Sequence, residues 1–144
     1  MSRPLRVVAA VVALVGLGHA ATAQDIQKFN AHCHDWIVKR GYSVNYIEES
    51  VGKRQPGFGR GWVGNIDRDT VRAGDVAIFM PWHGHTAYVE KVERSTDGKP
   101  VRIEISDWNR PGRYLDEACI VTEHFGKLST WSVDAAQVTR YRRP

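Results

Sequence analysis

Cys33, His85 and Asp107 are the residues with which this chain could build nucleophilic chemistry. Cys33 lies on the apolar stripe of a helix, close to its predicted N-terminus, where the helix dipole and unpaired amides favour thiolate over thiol. A cysteine nucleophile needs a base, and His85 follows Gly84 at a strand start, the place from which an imidazole can face a helix N-terminus. Asp107 and Asn109 stand at the far end of the next strand, adjacent to His85 across an antiparallel pair. Either could hold an imidazole in the required tautomer, and only Asp107 could also stabilise its charged form. Four other readings stay open. Cys33 could be a small core residue, or half of a disulfide with Cys119, the only other cysteine. His85 could be an exposed loop residue, and Asp107 a turn residue ahead of Asn109-Arg110-Pro111-Gly112.

Metal chemistry is not expected. On a helix His32 and His34 stand about 200° apart and cannot chelate together. His83 and His85 could converge, but no third ligand is evident. No cofactor is expected either.

The elements that must position these residues can be read from periodicity. Ile26, Phe29, Cys33, Trp36 and Ile37 recur at helical spacing and end at Arg40-Gly41, with Asn30 as the cap of a helix starting at Ala31. Tyr42 to Asn65 reads as a long ordered loop with a short helix near Ile47–Val51. Within it lie three cations, Lys53, Arg54 and Arg60, and a glycine-rich run ending at Trp62. Long loops in small domains are often functional. From Gly74 the pattern turns to strands: Asp75–Met80, then Thr86–Arg94 and Val101–Ser106 around an Asp97-Gly98 hairpin turn. Val101, Ile103 and Ile105 share one face, and Asp107 and Asn109 continue that parity. Further strands are expected at Cys119–Glu123 and Leu128–Trp131, with a solvated tail at Arg140, Arg142 and Arg143. The fold class is α+β, helices first and an antiparallel sheet after.

The chain has 144 residues, 42% of them hydrophobic and 25% charged, which suits one globular domain and excludes a disordered or multispan protein. Residues 1–23 read as a secretory signal: Arg3 and Arg6, an apolar run from Val7 to Gly18, then Ala21-Thr22-Ala23. The run is shorter than the ~20 residues a bilayer span needs, and no cysteine near the cleavage site offers a lipid anchor. The expected single domain is therefore residues 24–144, exported to the periplasm or beyond. Removing the leader takes two basic residues from the 20 present, leaving 18 against 16 acids. That small excess is no nucleic-acid footprint.

Four segments in order carry a family resemblance: Cys33-His34-Asp35-Trp36; Arg72-Ala73-Gly74-Asp75-Val76-Ala77-Ile78-Phe79; Gly84-His85-Thr86-Ala87-Tyr88-Val89; and Ile105-Ser106-Asp107-Trp108-Asn109. Together they resemble the CHAP family, cysteine- and histidine-dependent amidohydrolases and peptidases of papain-like α+β fold. The resemblance implies Cys33 as nucleophile, His85 as base, Asp107 as orienting acid and Asn109 as support or substitute. The backbone amide of Cys33, with a second donor from His32, would hold the oxyanion. Peptidoglycan or another peptide-like amide is the implied substrate, with Arg60, Trp62 and Trp82 as groove residues. His32 departs from the glutamine often found before the nucleophile, and Asp107 is one methylene shorter than the frequent glutamate. The alternative is a non-enzymatic exported binding domain locked by a Cys33–Cys119 disulfide.

The leader yields the first prediction. Intact-mass analysis of exported protein should give a chain beginning at Gln24, and retention of Met1 in the extracytoplasmic fraction would refute cleavage.

Overall fold

A computed structural model describes residues 22–54 and 57–144. Apart from Thr22 and Ala23, the expected leader lies outside the described residues, as do Gln55 and Pro56 of the glycine-rich loop.

Thr22 opens helix α1 (Ala23–His32). Its hydroxyl accepts the Asp25 amide at 3.2 Å, and the Asp25 carboxylate accepts the Thr22 amide at 2.9 Å. This reciprocal cap satisfies two amides at the helix start, so the helix begins well before Ala31 and Asn30 lies inside it. Cys33 is consequently not in the first turn of α1 but follows its end, as the N-cap of the next helix. It forms the joint between α1 and α2 (His34–Lys39), its amide bonded to the Phe29 carbonyl at 2.8 Å. Helix α3 (Ser43–Val51) is longer than the expected Ile47–Val51 turn and buries Ser43, Val44 and Ile47.

Seven strands follow: β1 (Val76–Phe79), β2 (His85–Arg94), β3 (Pro100–Asp107), β4 (Tyr114–Asp116), β5 (Val121–Thr122), β6 (Ser129–Asp134) and β7 (Arg140–Arg142). Five form an antiparallel sheet in the order β6-β3-β2-β1-β7, and β4 and β5 form a separate ribbon. β1 is buried at every position, as suits a continuous apolar run covered on both faces. Val76 and Ile78 join Tyr42, Val44, Ile47 and Val121 in the core on the α3 side. Ala77 and Phe79 join Ala87, Val89, Ile103, Ile105 and Val133 in the core on the other side. The α+β class is thus observed, with helices and an antiparallel sheet.

Two expectations are corrected. The parity of β3 holds from Ile103 through Asp107, but Val101 is half exposed, since the irregular pairing near Arg94 turns that end of the hairpin away from the core. The basic tail is not a solvated end. β7 pairs with β1, and Arg143 reaches back to the buried Asp75 carboxylate through Nε and Nη2, both at 2.9 Å. Arg140 and Arg142 donate to the carbonyls of Trp62 and Val63, so the tail also fixes the long loop.

No helix among the described residues is long and apolar enough to cross a membrane. Cys33 and Cys119 form a disulfide, with Cα atoms 5.5 Å apart and a sequence separation of 86. It ties the α1–α2 joint to the segment between β4 and β5, a bond suited to an oxidising compartment. On the chain-entropy account a loop of this size contributes about 4.5 kcal/mol. Cys33→Ser, Cys119→Ser and the double variant should each lose about 2–5 kcal/mol in urea denaturation. The three losses should be equal, because all remove one bond. A single variant as stable as the parent would show that the bond is not formed.

Candidate functional site

β2 and β3 run antiparallel, so the start of one meets the end of the other. His85 opens β2 and Asp107 closes β3. The imidazole Nε2 donates to Asp107 Oδ2 at 2.7 Å, with both side chains buried. Trp131, from β6, donates its indole Nε1 to the same oxygen at 2.9 Å. Asp107 is wholly buried, and its Oδ1 has no partner among the described residues. An ionised carboxylate in such a place draws its stabilisation from charge-assisted donors, and both converge on one oxygen. The pairing uses Nε2 and leaves Nδ1 of His85 as the nitrogen that can accept a proton.

His85 lines a cleft together with Tyr42, Ser43, Phe58, Trp82, Asn109, Tyr114 and Thr122. Trp82 is half buried, stacked on Phe79 at 4.8 Å between centroids and tilted against Trp131 at 5.5 Å. Phe58 packs edge-on against Phe29 and Tyr42 at 5.1 and 6.2 Å. The Tyr42 hydroxyl donates to the Cys119 carbonyl at 2.8 Å, and burial pushes its pKa up to about 12. The cleft therefore combines aromatic walls with a buried imidazole–carboxylate pair, a common composition for sites that bind and process small groups.

The turn before His85 is fixed by close backbone approach. His83 and Gly84 have φ of 55° and 73°. A Cβ on Gly84 would lie 2.2 Å from the Arg60 amide nitrogen, and one on Gly59 would lie 2.2 Å from the Gly84 carbonyl oxygen. The glycine-rich loop is thus pressed against the histidine turn, with no space for a side chain between them.

The expected site residues divide accordingly. His85 and Asp107 come together as anticipated, and Trp82 lines the cleft. Cys33 carries no thiol in this state, because its sulfur is bonded to Cys119, and it is not among the cleft-lining residues. His32 ends α1 exposed to solvent, so it supplies nothing to the cleft. Arg60 contributes its backbone to the contact with Gly84 while the residue itself stays exposed. Trp62 is buried in the α3-side core and is not a groove wall. Asn109 lies beyond the end of β3 in a left-handed turn with φ 55° and does not continue the strand. Its side chain donates to the Ile120 carbonyl at 2.8 Å and accepts from the Thr122 amide at 2.8 Å. It braces the β4–β5 ribbon, whose Tyr114 and Thr122 line the cleft, a role different from holding His85.

Sequence reasoning missed Ser43, Tyr42, Phe58 and Tyr114. Apolar spacing at Val44, Ile47 and Val51, closed by Gly52, was the available signal for a helix start near Ser43. Among the described residues no group of three or more histidine, cysteine or carboxylate side chains could hold a metal ion.

Asn109→Ala should cost about 2 kcal/mol in chemical denaturation, since it leaves the buried Thr122 amide and the half-buried Ile120 carbonyl unpaired. A variant as stable as the parent would show that these bonds do not hold the ribbon.

No protein-family model matches the chain, and no curated protein or solved structure shows significant similarity to it.

Proposed function

We propose that the protein is an exported amidohydrolase or peptidase that cleaves peptide-like amides, those of peptidoglycan foremost, by acyl transfer. The observation that carries this reading is the His85–Asp107 pair at 2.7 Å, buried at the end of the sheet with His85 lining an aromatic cleft. A buried carboxylate bonded to one imidazole nitrogen leaves the other as general base and stabilises the imidazolium that forms. The resemblance of the His85 and Asp107 segments to CHAP enzymes supplies the substrate class and a papain-like arrangement of helix against sheet. The disulfide agrees with export to an oxidising compartment.

In the oxidised protein Cys33 cannot act as the nucleophile, since attack requires a free thiolate. His85 accepts the proton of the attacking group, returns it to the leaving amine, and then activates the water that releases the acyl group. Asp107 keeps the imidazole in the tautomer with the proton on Nε2.

The disulfide favours a second reading, an exported binding domain that uses the same cleft without cleavage. Mass spectrometry of purified peptidoglycan after incubation separates the two. The hydrolase reading expects new amine and carboxyl termini with the parent protein. Turnover should fall by about 10²–10⁴ with His85→Ala, and by a comparable factor with Asp107→Asn, with the fold retained by circular dichroism. Bound but uncut glycopeptide would establish the binding domain, and undiminished cleavage by His85→Ala would remove this histidine from the chemistry.

A further inference from the structure

Ser43 is the first residue of α3, the helix packed on β2. It is buried, and it lines the same cleft as His85. Its Oγ accepts the Thr86 amide at 3.2 Å and the Thr86 hydroxyl at 3.1 Å. Thr86 directly follows His85, so the serine hydroxyl is anchored to the backbone beside the imidazole. His85 is 7% exposed, and its Nδ1 takes part in no hydrogen bond among the described residues. The amides of Ser43 and Val44, at the open start of α3, likewise have no protein acceptor among the described residues. Ser43, Val44 and His85 thus line one cleft, and among their polar groups are a hydroxyl, an imidazole nitrogen and two helix-start amides without a protein acceptor.

We infer that Ser43 is the nucleophile of this site, with His85 as its base through Nδ1 and Asp107 as the group that orients His85. The assignment rests on the hydrolase reading above and gives that reading the attacking atom that Cys33 does not supply. In the resting structure the Ser43 hydroxyl is bonded to Thr86, and attack requires it to turn to Nδ1 of His85. Hydrogen bonds of this kind often tighten only when substrate is bound.

The steps balance with water as the only co-reactant. The Ser43 hydroxyl proton passes to His85 Nδ1 as Oγ bonds to the substrate carbonyl carbon, and the carbonyl electron pair moves onto oxygen. In this assignment the helix-start amides of α3 are the donors to that oxyanion. Collapse restores the carbonyl and breaks the C–N bond, and the departing amine takes the proton from Nδ1. Water then gives a proton to Nδ1 as it attacks the ester, and Ser43 leaves with that proton.

An alkyl fluorophosphonate tests this on the full exported chain without knowledge of the natural substrate. Attack by Oγ forms an O–P bond and expels fluoride, and peptide mapping should place the phosphonyl group on Ser43. Labelling should vanish in Ser43→Ala and slow about 10²–10⁴-fold in His85→Ala. Ser43→Cys supplies a second readout, because both native cysteines are held in the disulfide and the new thiol is the free one. Its alkylation by iodoacetamide should persist well below the ordinary thiol pKa of about 8.5, and should revert to that ordinary profile when His85→Ala is added. No phosphonylation of Ser43, or an ordinary thiol profile in both cysteine variants, overturns the assignment. Peptidoglycan cleavage kept by Ser43→Ala but lost in His85→Ala overturns the nucleophile alone, cleavage kept by both removes Ser43 and His85 from the chemistry together, and no cleavage by the parent protein overturns the hydrolase reading with the assignment.

Discussion

A single buried carboxylate sets the constraint on which the end of the sheet depends. Asp107 has no exposed surface, so its charge must be met from within the protein. The donors come from two other strands, His85 on β2 and Trp131 on β6. Register is therefore specified twice at this end, by apolar alternation along β3 and by two polar contacts that a slip of one residue would break. The same contacts hold the imidazole with Nε2 occupied and Nδ1 free. Packing and chemistry share one device here.

The loop in front of the sheet is fixed by the opposite means, the absence of side chains. Gly59 and Gly84 allow two backbones to approach where a single methyl group would collide. From the other side Arg140 and Arg142 hold the carbonyls of Trp62 and Val63. A segment rich in glycine and charge is thus held in place by backbone contacts as well as by the burial of Trp62. The aromatic wall that Phe58 contributes to the cleft is positioned by these contacts.

Strand content was the most legible part of the sequence. The Asp97-Gly98 turn and the alternation of Ile103 and Ile105 identify the β2–β3 hairpin, and adjacency across that hairpin brings His85 to Asp107. The helices were less legible, because capping decides where they start and the sequence points to Asn30 as the cap. Thr22 with Asp25 forms a complete reciprocal cap, which Asn30 inside α1 cannot match. That difference moved Cys33 from the first turn of one helix to the joint between two, where it is the N-cap of α2, and its thiolate argument lapses because the sulfur is bonded to Cys119. Ser43 went unread because serine at a helix start is common, and its meaning depends on the long-range contact with Thr86. The role of Asn109 was hidden in the same way, since its partners Ile120 and Thr122 lie on a ribbon with little periodicity.

The disulfide divides the sheet in a way that sequence order conceals. Residues 33–119 form a covalently closed ring, and β1, β2 and β3 all lie inside it. The strands at both outer edges, β6 and β7, come from the chain beyond Cys119. The domain is therefore a cross-linked inner sheet flanked by two lateral strands, which can detach while the ring stays intact. Such an arrangement leaves the flanks outside the covalent constraint that holds the ring. His85 and Asp107 belong to the ring, whereas Trp131 arrives on a flank. Fluctuations of β6 would thus loosen one donor to the buried carboxylate while leaving the other in place.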